Sequence, residues 1–124
     1  MPPSRKVAVA VFGARIAYGV GLVANPARLT RRWLGPAAET APTQVGVRGL
    51  GAREVVLHLG ALTAAVRGQP LRPWLVASIA GDASDIAATT AARGALPEGS
   101  ALATLAVAGG SAAISAALAA VVDS

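Results

Sequence analysis

Seven side chains able to carry charge or exchange a proton stand inside otherwise apolar runs: Arg15, Arg48, Arg53, Glu54, His58, Asp82 and Asp85. Guanidinium groups grip carboxylates or anions, while carboxylates and an imidazole can pass protons. The types therefore allow a proton relay, an anion site or a purely structural ion network. They do not suggest a metal centre: His58 beside Glu54 is half a site, and the chain has no cysteine. Nucleophilic catalysis lacks a motif as well, because neither Ser78 nor Ser84 belongs to a recognisable Ser-His-Asp arrangement. Gly46, Gly49 and Gly51 resemble a phosphate loop only superficially. No strand precedes them and no Lys-Ser/Thr pair follows, so close helix packing is the better account. No catalytic residue, metal or cofactor is expected.

The elements that must position these groups are helical. Four apolar runs, 7–24, 43–66, 73–92 and 101–122, are each long enough to cross a hydrocarbon layer about 30 Å thick. In the first, Arg15 interrupts the apolar stretch, which a cleavable signal segment would tolerate poorly. Asn25-Pro26 ends that run, since proline disfavours helical geometry at the residue before it. Residues 27–42 are polar and punctuated by Pro36 and Pro42, and fit either a solvated loop or a short interfacial helix. Gly68-Gln69-Pro70 stops the second run, and Pro73 suits the first turn of the third. Ser100 is a candidate N-cap for the fourth, which carries no charge. The predicted architecture is all-α: one transmembrane domain, residues 1–124, forming an antiparallel four-helix bundle. Trp33 and Trp74 are expected at the two membrane interfaces.

Composition points the same way. The chain is 54% hydrophobic but 14% charged, with two Trp, one Tyr, one Phe and 14 Gly. Its mean hydropathy is +0.57. A soluble domain would carry about 25% charged residues. Small apolar residues are favoured where helices pack in lipid, and Gly13, Ala17, Gly21, Gly49 and Gly51 are the expected packing positions. The net charge of +5 comes from dispersed basic pairs without a stripe or stacking aromatics, which argues against nucleic acid. Orientation is undetermined. Arg5, Lys6, Arg67 and Arg72 flank one side, against Arg28, Arg31, Arg32 and Arg93 on the other.

An Arg or Asp at mid-bilayer costs about 2.5–3.5 kcal/mol. Left alone, the intramembrane charges would be prohibitive, so they must pair or line water. At about 1.5 Å per residue, Arg15, Glu54 and Asp82 share mid-span depth. The expected pairs are Arg15 with Glu54, and Arg48 or Arg53 with Asp85 or Asp82. Glu54 and His58 are one turn apart on one face.

Taken together, Arg15-x-x-x-Gly19, Asn25-Pro26, Trp33-Leu34-Gly35, Arg48-x-x-Gly51-x-Arg53-Glu54, Trp74 and Gly81-Asp82-x-x-Asp85 resemble the DUF4267-type family. Its members are small four-helix membrane proteins from high-GC actinobacteria, distantly similar to DoxX-type bundles. The resemblance spans nearly the whole chain, with short motifs. It implies a fold and a place in the cell membrane and lends no activity. Two positions depart from the family pattern: Glu54 stands where Asp is usual, and His58 where a small residue is expected.

Two functions follow as expectations. The first is an accessory or scaffold subunit of the cytoplasmic membrane, multi-pass, docked on a larger complex or self-associated. The second is a small proton-coupled transporter or anion carrier working through the intramembrane Arg/Glu/Asp/His cluster. An enzyme ranks behind both.

Overall fold

A computed structural model describes residues 1–124. Every regular element is helical: α1 (Pro3–Ala24), α2 (Pro26–Leu34), α3 (Ala41–Val66), α4 (Arg72–Ala91) and α5 (Ser100–Val121), with 3-10 turns at Gly35–Glu39 and Arg93–Ala95. Prolines sit in the first turns of α1, α2, α3 and α4, where a missing N–H costs nothing. Gly35, Gly68 and Gly99 take positive φ, so the chain reverses after α2, after α3 and before α5 without a Cβ penalty.

Residues 27–42 are mostly helical. The segment after α1 restarts at Pro26 as a strongly amphipathic helix, with Arg28, Arg31 and Arg32 exposed and Pro26 and Thr30 buried. Ser100 does not cap α5. Gly99 holds the N-cap position, and the Ser100 hydroxyl instead donates to the Trp33 carbonyl at 2.8 Å.

The four long helices alternate in direction. Arg5 reaches the carbonyls of Ala65 and Gln69, and Arg48 that of Val23, so α1 and α3 run antiparallel. Arg72 donates to the Ala119 carbonyl, which sets α4 antiparallel to α5. Asp123, just past α5, accepts the Leu71 and Arg72 amides at 2.8 and 2.9 Å, satisfying first-turn donors of α4 that have no intrahelical partner. Burial raises its carboxyl, but those two amides and the charges of Arg72 and Arg5 prevail and hold it below the usual carboxylate range.

Three helices, α1, α3 and α5, are long and apolar enough to cross a membrane. Their large apolar side chains point outward, Val20, Val56, Val66, Leu102 and Val107 among them. Helices apolar all round yet exposed along their length match a lipid environment. The fourth such run expected from the sequence, 73–92, forms α4 but is not apolar enough by the same measure. It buries Ser78, Asp82 and Thr89, and these polar groups offset its apolar residues.

Packing is uneven along the long axis. The half containing the chain ends and the α3–α4 turn is solid: Ala8, Phe12, Ala61, Ala64, Leu71, Leu75 and Leu118 form one buried cluster drawn from all four long helices. The half beneath α2 is hollow.

Candidate functional site

Arg15 sits near the middle of α1 and joins three other helices. Its guanidinium takes Glu54 of α3 in a fork, Nε to Oε2 at 3.1 Å and Nη2 to Oε1 at 2.9 Å. It also takes Asp82 of α4, with Nη1 to Oδ2 at 3.1 Å and Nη2 to Oδ1 at 3.0 Å. Nη1 donates in addition to the Ser111 hydroxyl of α5. The side chains of Arg15 and Glu54 are each 13% exposed and that of Asp82 6%. One planar donor fork thus satisfies two carboxylates at once, an arrangement Lys could not reproduce.

His58 extends the network into the solid half. The ring is fully buried and lies beside Phe12, with ring centroids 5.9 Å apart. Nδ1 is 2.7 Å from the Glu54 carbonyl and 3.2 Å from Glu54 Oε2. Both are acceptors, so Nδ1 carries a proton. Nε2 is 2.8 Å from Ser78 Oγ, and that hydroxyl is also placed to donate to the Trp74 carbonyl at 3.2 Å. Ser78 has one proton. Given to Trp74, it leaves Nε2 as the donor and the ring a cation; given to Nε2, it leaves the ring neutral. Rotation of one hydroxyl therefore accommodates either protonation state of His58.

Above this network lies a cavity of about 700 Å³, within the size range of small-molecule pockets. Arg15, Glu54 and Asp82 form its floor, and Val11, Leu50, Val107 and Ile114 are among its apolar walls. Leu29, Arg32 and Trp33 of α2 close the far end. The lid is tied down: Trp33 Nε1 donates to Thr89 Oγ1 of α4 at 3.0 Å, and Ser100 of α5 bonds the Trp33 carbonyl. Asp85 also lines the cavity and is half-buried, yet it takes part in no ion pair.

The structure brings together Arg15, Glu54, His58 and Asp82, with Asp85 one turn away. It does not bring in Arg48 or Arg53. Arg48 is exposed and bonds the Val23 carbonyl at 3.2 Å. Arg53 projects from the outer face of α3, exposed and without an ionic partner. The expected pairing of either arginine with Asp82 or Asp85 fails because adjacent helical positions are about 100° apart: with Glu54 turned inward, Arg53 faces away.

The packing glycines also need correction. Gly13 and Ala17 face outward, and nothing lies near a Cβ built on Gly13 or Gly49. The close approach of α1 and α3 is made by Gly19 and Gly51, where a Cβ would come within 2.7 Å and 2.6 Å of the opposite carbonyl oxygen. Gly21 is covered by Leu29. Neither tryptophan is a simple interface anchor: Trp33 locks the lid, and the Trp74 ring covers Gly60.

Sequence reasoning weighed Ser78 only as a nucleophile and did not find its bond to His58, the bond of Ser111 to Arg15, the place of Tyr18 or the cavity. Ser111 carried a usable signal, since it is a hydroxyl at mid-depth of a charge-free helix, level with Arg15. Ser115, one turn further on, has the one buried side-chain oxygen without a partner.

No protein-family model, curated protein or solved structure matches the chain.

Proposed function

We propose that the chain is a small multi-pass protein of the cytoplasmic membrane, with all four long helices crossing, and that it carries a small ligand in its central cavity in exchange with a proton. One observation carries this reading: a mostly apolar cavity of about 700 Å³ set directly on a charged floor. A structural network needs no empty volume beside it, whereas a binding pocket needs both. That α4 crosses as well is supported by depth, since Asp82 meets Arg15, which also bonds Glu54 and Ser111, each near mid-length of its helix. The proton side of the exchange rests on His58 with its rotatable Ser78 partner. The groups facing that ring or lining the cavity are Arg15 and Tyr18 of α1, Arg32 of α2 at the lid, Glu54 of α3, Ser78, Asp82 and Asp85 of α4 and Ser111 of α5.

The test uses Trp33, which lines the cavity, in a Trp74→Phe background that leaves it the sole tryptophan. Purified protein in lipid nanodiscs is titrated with three compounds of one shape: tetraphenylphosphonium, tetraphenylborate and neutral tetraphenylmethane. At least one should change Trp33 emission saturably, and Ala108→Phe, which fills the cavity wall, should abolish the response. If none of the three gives a saturable change, the pocket reading is wrong.

A second reading, an accessory subunit docked on another membrane protein, is favoured by the outer face of α3. Arg53 is exposed there near the middle of the helix, beside the open backbone of Gly46 and Gly49.

A further inference from the structure

The charge around the cavity is not balanced by the chain itself. Arg15 is engaged by Glu54, Asp82 and Ser111 and makes no bond to Asp85. Asp85 faces the same space with no ion pair. Arg32 is the other cation along the lining, but it stands exposed at the lid. The inner end of the cavity therefore holds three carboxylates against the Arg15 guanidinium, and His58 beside Glu54 is the only further group there able to carry positive charge, so cations number at most two. An anion placed there would meet repulsion and a neutral guest would leave Asp85 without a partner, whereas a cation would supply one.

The way in is also defined. The exposed part of the lining belongs mainly to α1 and α5: Tyr18 is 47% exposed, Val107 75% and Ile114 53%, with Ala14 and Gly110 beside them. The gap between these two helices is walled by apolar groups, and α1 and α5 are two of the helices apolar enough to face lipid.

We infer that the ligand is a lipophilic cation that enters sideways from the bilayer between α1 and α5 and delivers its charge to Asp85. This rests on reading the cavity as a ligand site. The apolar body occupies the space between Val11, Val107 and Ile114, and the positive centre completes the charge balance at the floor.

Tetraphenylphosphonium and tetraphenylborate share size and shape and differ in sign. Binding of each to nanodisc-reconstituted protein is measured by equilibrium dialysis, with wild type, Asp85→Asn and Gly110→Phe. The cation should bind wild type and be preferred over the anion. Asp85→Asn should weaken it about tenfold or more, the scale of losing one charged partner, while leaving the protein folded because Asp85 bonds nothing within the chain. Gly110 has open space around its Cβ position, so Gly110→Phe should preserve the fold, narrow the gap and reduce cation binding. Equal binding of cation to wild type and Asp85→Asn, or preference for the anion, overturns the inference while leaving a pocket in place. Failure of both ions and of the neutral analogue removes the pocket and the inference together.

Discussion

At the scale of single residues, Arg15 is the group on which most depends. Its planar fork satisfies Glu54 and Asp82 together and reaches Ser111 besides. Removing it leaves two carboxylates facing each other in a poorly solvated site. Breaking a buried ion pair by deleting one partner costs about 3–5 kcal/mol. Arg15→Gln should therefore lower the unfolding free energy in detergent by about that amount, discounted towards the lower end because the side chains retain some exposure. Arg15→Lys should recover only part of the loss, since a single ammonium cannot serve both carboxylates in the same geometry. Denaturant unfolding followed by circular dichroism decides this; full recovery by lysine would show that charge alone, without the fork, sustains the network. The pairing of Arg15 with Glu54 was readable from depth along the chain. The fate of Arg53 was not, because depth says nothing about which way a helix is rotated, and rotation is fixed by packing partners far away in sequence.

At the scale of elements, the crossing of α1 and α3 is held by backbone proximity at Gly19 and Gly51. A methyl group at Gly51 would meet the Gly19 carbonyl at 2.6 Å and Leu22 Cβ at 2.8 Å. Backbone cannot yield as a flexible side chain can, so Gly51→Ala should cost about 1–3 kcal/mol. Gly49→Ala, with nothing near its Cβ, should be neutral or slightly stabilising through its better helix propensity. Parallel thermal melts of the two variants test this, and equal destabilisation would contradict the crossing described. Both glycines look alike in the sequence, which marks the whole GxxGxG segment as small without saying which face is used. Helix ends were more legible: Asn25-Pro26 and Gly68-Gln69-Pro70 act through local backbone geometry and need no tertiary information. The N-cap of α5 was misread at Ser100 because its hydroxyl is drawn to the Trp33 carbonyl, a contact between segments 67 residues apart.

At the scale of the whole molecule, the sequence conveyed an all-helical chain with stretches able to cross a membrane. It did not convey the hollow, because a cavity arises from the splay between helix pairs and leaves no periodic mark. The outer surface raises the question of partners. Every carboxylate within the long helices, Glu54, Asp82 and Asp85, lines the cavity, whereas Arg53 is exposed on α3. An arginine near mid-bilayer costs about 2.5–3.5 kcal/mol unless paired or snorkelling, and the exposed carboxylates of a second copy, Glu39, Glu98 and Asp123, lie at helix ends and turns rather than at that depth. On the accessory reading, mild detergent extraction followed by native mass analysis should recover a different chain with a membrane-embedded Asp or Glu, and Arg53→Leu should release it. A bare monomer or homo-oligomer, unchanged by Arg53→Leu, would count against that reading.

The division into a solid half and a hollow half has a consequence for how a bilayer would be sampled. If the four long helices cross as proposed, most of the cavity lies between the mid-depth floor and the α2 lid, so its side opening would face mainly one leaflet. Molecules dissolved in the other leaflet would meet helices closed over the buried cluster of Ala8, Phe12, Leu75 and Leu118. Occupancy would then follow the composition of a single monolayer, and flip-flop between leaflets, rather than diffusion within one, would set how quickly the protein senses a compound arriving from the far side.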